Sequence, residues 1–282
     1  MRPNQGFIQS LKPKIVYGGH YSQVGSQSLV TFTQSGTAVV KKDVAAWVLC
    51  VGAGSGGALS TIYGAGGGGG GQVIEYTSFT LSAGTYSVIV GTGGGGAQVD
   101  GIYGYQGYDT TFTQTSGGSV YVGASGSPGG SYAAIRNPTQ YSGQISGSGL
   151  SASTYRLRIS SGGSGDQQAG LSGGNGGIGK TSSITGTNIV YGSGGGAGAY
   201  VTWNSIHDGP GIGASGAGNG GDASVLVYPH DGATWSAGGN ALPNRGGGGG
   251  GAAYVDDGGH TYVTKPSGAG GSGVFIIRYT EF

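Results

Sequence analysis

Residues 44–79 read VAAWVLCVGAGSGGALSTIYGAGGGGGGQVIEYTSF. VAAWVLCV has the continuous apolar character of a buried strand, and QVIEYTSF alternates as a half-buried strand does. Between them the chain is mostly glycine. Glycine-rich sequence usually makes a flexible linker between domains. Here it joins two strands and recurs, so a second reading is stronger. Polyglycine II is an extended helix with three residues per turn, a rise of about 3.1 Å and no internal hydrogen bonds. Lacking Cβ atoms, such helices can pack backbone to backbone and hydrogen-bond to one another, which satisfies the polar groups they bury. At that rise the eight residues 64–71 span roughly 25 Å, about a domain's width. Ordering glycine costs more entropy than ordering any other residue, so many such helices must pack together.

Outward from this stretch the pattern repeats. Strands are expected at residues 28–34, 37–40, 86–90, 109–113, 120–122 and 273–279, each bounded by Gly, Ser or Asn. Further glycine runs fall at 91–96, 162–165, 173–179, 192–198, 209–221, 246–251 and 268–273. No long window carries apolar residues at helical spacing. The expected fold is all-β: a β-sandwich with a packed polyglycine II bundle and little or no α-helix. Residues 29–282 form the domain, preceded by an arm over residues 1–28. The arm carries Arg2, Lys12 and Lys14 without an acidic residue, and apolar anchors Phe7, Ile8 and Tyr17. It is expected to dock on a partner or a sister subunit.

Composition excludes several function classes. Of 282 residues 71 are Gly, charged residues make up 8% and the formal net charge is +1. Phosphate binding needs a basic face, so no nucleic-acid partner is expected. The 18 Tyr, 6 Phe and 3 Trp supply enough apolar surface to fold. The single cysteine, Cys50, sits inside an apolar strand and reads as a core thiol. The N-terminal residues have no apolar core of a secretory signal, and no apolar stretch is long enough to span a bilayer.

Two motifs resemble nucleotide sites. Residues 174–181, GNGGIGKT, fit the phosphate-loop spacing. That chemistry needs a strand before the loop and a helix after it, and neither flank supplies one. Gly52, Gly54 and Gly57 follow a strand with Glu75 further on, as in a dinucleotide fingerprint, but the next element is again glycine-rich rather than helical. His207-Asp208 and His230-Asp231 each precede Gly, which makes a turn with a decorating His. No catalytic residue, cofactor site or metal site is assigned.

The C-terminal half carries large aromatic residues between glycine runs. Tyr200, Trp203, His207 and Asp208 lie in one segment; Tyr228, His230, Asp231 and Trp235 in the next; Tyr254, Asp256 and His260 in the third. Aromatic loops on a rigid scaffold have the composition of a binding surface, although the same rings can cap a bundle. If the runs are antiparallel neighbours, alternate connections emerge at one end, and at least two of these segments can share a face.

The ordered series FTQSGTAVV, WVLCVGAGSGG, GAGGGGGGQVIEY, LSAGTYSVIVGTGGGG and GAGGSGVFIIRY runs from about Leu29 to Tyr279, almost from one end of the chain to the other. It resembles the glycine-rich domain of bacteriophage tail-fibre and other virion proteins, including polyglycine II tail-fibre tip adhesins. The resemblance implies a phage virion structural protein, assembled in the host cytoplasm, that binds a host cell-surface glycan or outer-membrane protein and other virion proteins through residues 1–28. The alternative it leaves is a capsid decoration, collar or baseplate piece without receptor binding. Neither role is enzymatic.

Overall fold

A computed structural model describes residues 15–59, 65–98, 103–116, 120–127, 174–202, 205–208, 210–219, 223–224, 234–256 and 265–281. Nine strands come first: β1 (Val16–Tyr17), β2 (His20–Val24), β3 (Gln27–Phe32), β4 (Gly36–Val40), β5 (Val44–Val51), β6 (Val73–Leu81), β7 (Gly84–Ile89), β8 (Thr110–Gln114) and β9 (Val120–Ala124). Short strands follow: β10 (Lys180–Ser182), β11 (Ile189–Tyr191), β12 (Tyr200–Thr202), β13 (Ser205–Asp208), β14 (Ala223–Ser224), β15 (Thr234–Trp235) and β16 (Tyr254–Asp256). The last is β17 (Val274–Thr280). Among the described residues there is no α-helix.

Two five-stranded antiparallel sheets form the sandwich, in the orders β1-β4-β7-β8-β9 and β2-β3-β17-β5-β6. Alternating residues of both sheets meet between them, where Phe112 stacks on Tyr86 at 4.3 Å and on Phe275 at 4.6 Å. β17 lies at the centre of its sheet, between β3 and β5, so its run VFIIRYT is apolar toward both faces. Leu49, Val51 and Ile276 point to the second face of that sheet, where Ile184 and Tyr191 of the β10–β11 hairpin cover them. A polar cluster fastens the hairpin. Glu75 accepts hydrogen bonds from Trp47 Nε1 at 2.9 Å and Ser182 Oγ at 2.5 Å, and pairs with Lys180 at 3.4 Å.

The expected strand at 44–51 has the bounds of β5, and the other expected strands shift by a few residues. One difference changes the domain boundary. Residues 15–28, expected as part of an arm that docks on a partner or a sister subunit, are built into both sheets: Val16 pairs with Val40, and Tyr21 pairs with Val30. Val16 is buried, and its N–H donates to the Tyr279 hydroxyl at 3.2 Å. The remainder of that segment, including Phe7 and Ile8, and the expected run 162–165 lie outside the described residues.

The glycine runs pack as a polyglycine bundle, and residues 52–58 form its axis. Gly52, Ser55 and Ala58 donate their N–H groups to Gln72, Gly69 and Gly66. Ala53 and Gly56 donate to Tyr108 and Tyr105, while Gly54 and Gly57 donate to Gly271 and Gly268. Donors three residues apart thus reach one neighbour, and each third of the helix reaches a different one. That is the signature of three residues per turn. The carbonyls of this run accept in turn from Gly94, Ala97, Ser127, Gly249 and Ala252. A Cβ built on Gly52, Gly54 or Gly57 would fall onto the carbonyl oxygen of Ser125, Gly247 or Gly250. The apparent dinucleotide fingerprint is therefore a packing requirement, and the sequence reading missed this run because Ala and Ser interrupt it. Where the bundle's edge leaves amides without a neighbouring run, side chains substitute: Asn175, Asn219 and Asn240 accept from Ile212, Gly213 and Ala269 at 2.8–2.9 Å.

Candidate functional site

The hydrogen-bond register gives each run a direction. Residues 52–58 leave the sandwich from β5. Runs 91–97 and 246–253 lie parallel to it, and 192–199 lies parallel to 246–253, so all four point away. Residues 65–72, 103–108 and 265–273 are antiparallel to 52–58 and return into the sandwich. The outgoing runs 192–199 and 246–253 end directly at β12 and β16. Both short strands therefore sit at the end of the bundle distal to the sandwich. Ile15 and Glu281 lie at the opposite pole, beyond the β4 and β17 ends that face away from the bundle.

Parallel runs deliver parallel strands. β12 pairs with β16, which sets Tyr200 opposite Tyr254 and Thr202 opposite Asp256. β13 folds back antiparallel on the other side of β12 and sets Asp208 opposite Tyr200, with His207 beside it in sequence. One rung of backbone thus carries Asp208, Tyr200 and Tyr254 across three strands. β14 and β15 pair next to this sheet, with Trp235 opposite Ala223. Two of the three aromatic segments are brought together as paired strands, and the third contributes Trp235 on a neighbouring ribbon. Trp203, Tyr228, His230, Asp231 and His260 lie outside the described residues.

Elsewhere the reactive groups are committed to structure. Lys180 of the apparent phosphate loop begins strand β10 and pairs with Glu75. Burial pushes the Cys50 thiol up to about 12, and its Sγ donates to the Thr110 carbonyl at 3.3 Å. Burial likewise raises the Tyr279 phenol to about 12, where it donates to Glu281 at 2.9 Å. Neither ionises near neutral pH. Among the described residues no three His, Cys, Asp or Glu side chains gather as metal ligands would.

A second aromatic surface escaped the sequence reading. In run 103–108 only Gly104 and Gly107 face inward, against the carbonyls of Gly56 and of Ala53 and Gly54. Tyr103, Tyr105 and Tyr108 are 51%, 59% and 57% exposed. The signal was present as two glycines three apart with tyrosines between them, a pattern too brief to count as a glycine run.

The molecule is thus an all-β sandwich extended by a rigid glycine bundle with a small sheet at its far end, a glycine-rich scaffold protein. The sequence profile of a glycine-rich domain family matches residues 31–280, and the chain belongs to that family. No curated protein matches it.

Proposed function

We propose that this chain is a phage virion structural protein that acts as a host-binding adhesin, presenting the distal end of its bundle to a cell-surface glycan or an outer-membrane protein loop. The observation that carries the reading is the rung Asp208–Tyr200–Tyr254 at the pole remote from Ile15 and Glu281. Binding residues belong on loops held by a rigid scaffold, and a bundle fixed by backbone hydrogen bonds holds its end still at little further entropic cost. Virion partners would attach at the opposite pole, through the N-terminal segment ahead of β1. The role is recognition, without chemistry.

The test is adsorption of particles, or of the purified protein, to host cells after Trp203→Ala, Trp235→Ala and Tyr254→Ala. An aromatic contact contributes about 1 kcal/mol beyond its buried area, so each change should weaken adsorption about fivefold with little change in melting temperature. Unchanged adsorption in all three variants would remove the adhesin role from this end. Loss of melting temperature in all three would make the rings bundle caps and favour a purely structural virion role.

A further inference from the structure

Run 103–108 lies on the flank of the bundle, away from the distal sheet. It is held by Gly104 and Gly107 and by the backbone bonds Tyr105 N to Gly95 O, Tyr108 N to Thr92 O and Gly107 N to Ser127 O. None of these contacts needs a tyrosine side chain. The adjacent run fills its own outward positions with Thr92, Gly95 and Gln98, all exposed. Small or polar residues therefore satisfy the same bundle surface, and the rings at 105 and 108 serve something else. Neither phenol hydrogen-bonds to another described residue. A Cβ on Gly95 would meet only the Tyr105 ring, at 3.5 Å, so this glycine is spared by the bundle and leaves a shelf beside the ring.

Tyr105 and Tyr108 are one turn apart on the same edge, about 9 Å along the axis. Beside Tyr108 an open groove of about 600 Å³ is lined by Ile89, Gln106, Asp109, Thr111 and Ser125. None of these is basic. Asp109 Oδ1 accepts from Gly126 N–H at 2.7 Å, which fixes the carboxylate at the rim.

We propose that this flank binds an extended, uncharged glycan chain. Rings one turn apart match alternate units of a β-1,4-linked pyranose chain, whose C–H faces stack on aromatic rings. The Gln, Asp, Thr and Ser groups along the groove meet sugar hydroxyls. An anionic polymer would face Asp109 with no cation to offset it. The site is separate from the distal sheet and does not depend on its role.

The experiment is calorimetric titration of the purified full chain with the β-1,4-linked hexamers of glucose and of N-acetylglucosamine, and with the helical α-1,4-linked glucose hexamer. Saturable binding of at least one β-linked hexamer is expected. It should weaken at least tenfold in the Tyr105→Leu/Tyr108→Leu double variant at unchanged melting temperature. No saturable binding of either β-linked chain, equal binding by the double variant, or equal binding of the α-linked chain would overturn the proposal. So would tyrosine-dependent self-association in sedimentation, which would make the flank an interface between copies. Loss of host adsorption in the distal variants bears on the other end alone, so the two proposals fail separately.

Discussion

In the sandwich, Phe112 is enclosed by the rings of Tyr86 and Phe275, and the sheets are held apart by side chains. In the bundle, Gly68 is enclosed by the backbones of residues 55–56 and 249, with no side chain between. A sheet directs its hydrogen bonds in one plane and buries its faces by hydrophobic packing. A polyglycine helix directs them in three directions and buries itself by hydrogen bonding alone. The sandwich is therefore vulnerable to losing atoms and the bundle to gaining them.

The sharpest way to break that comparison is Gly68→Val or Gly248→Val. The added Cβ would land on the Ser55 carbonyl at position 68 and on the Gly68 carbonyl at 248. Separating the runs leaves buried amides and carbonyls unpaired, each costing about 1–3 kcal/mol. Loss of the folded state, or at least about 4 kcal/mol in denaturant titration, is expected. A variant that melts with the parent would mean the runs are not packed backbone to backbone.

Phe112→Ala tests the other half. It opens a cavity between the sheets and should cost about 3–5 kcal/mol, read by the same titration. A loss below about 1 kcal/mol would show that the sheets are held mainly by the bundle rather than by their own core.

Gly95→Ala is the smallest and most discriminating change. Its Cβ has room, and its φ lies outside the left-handed region. Restricting the unfolded chain should then raise stability by about 0.4–1 kcal/mol. Destabilisation of the size expected at Gly68 would mean that every bundle glycine is required, not only those facing inward.

Much of the fold was legible because its two periods are both local. Alternation marks β6, and continuous apolar sequence marks β5 and the first residues of β17. Uninterrupted glycine marks 66–71 and 246–251, since only a residue without Cβ survives between two backbones. Runs 52–58 and 103–108 were harder to read. The first admits Ala and Ser, with Ser55 Oγ accepting from Gly69 N–H at 2.8 Å, and the second needs glycine only at 104 and 107. The short β1 and β2 were hidden for another reason. Val16–Tyr17 and HYSQV have little pattern of their own and become strands by pairing with β4 and β3.

The sequence by itself determined the class of the fold and the materials of the site: strands separated by glycine, and aromatic residues between the glycine runs. It could not supply direction. Whether a run leaves the sandwich or returns to it is settled by which of its three faces meets which neighbour, and glycine carries no side chain to encode that choice. The tertiary hydrogen-bond register alone makes runs 192–199 and 246–253 parallel. That parallel pair sets Tyr200 beside Tyr254, a residue 54 positions further along the chain, because strands that continue parallel helices must themselves run parallel.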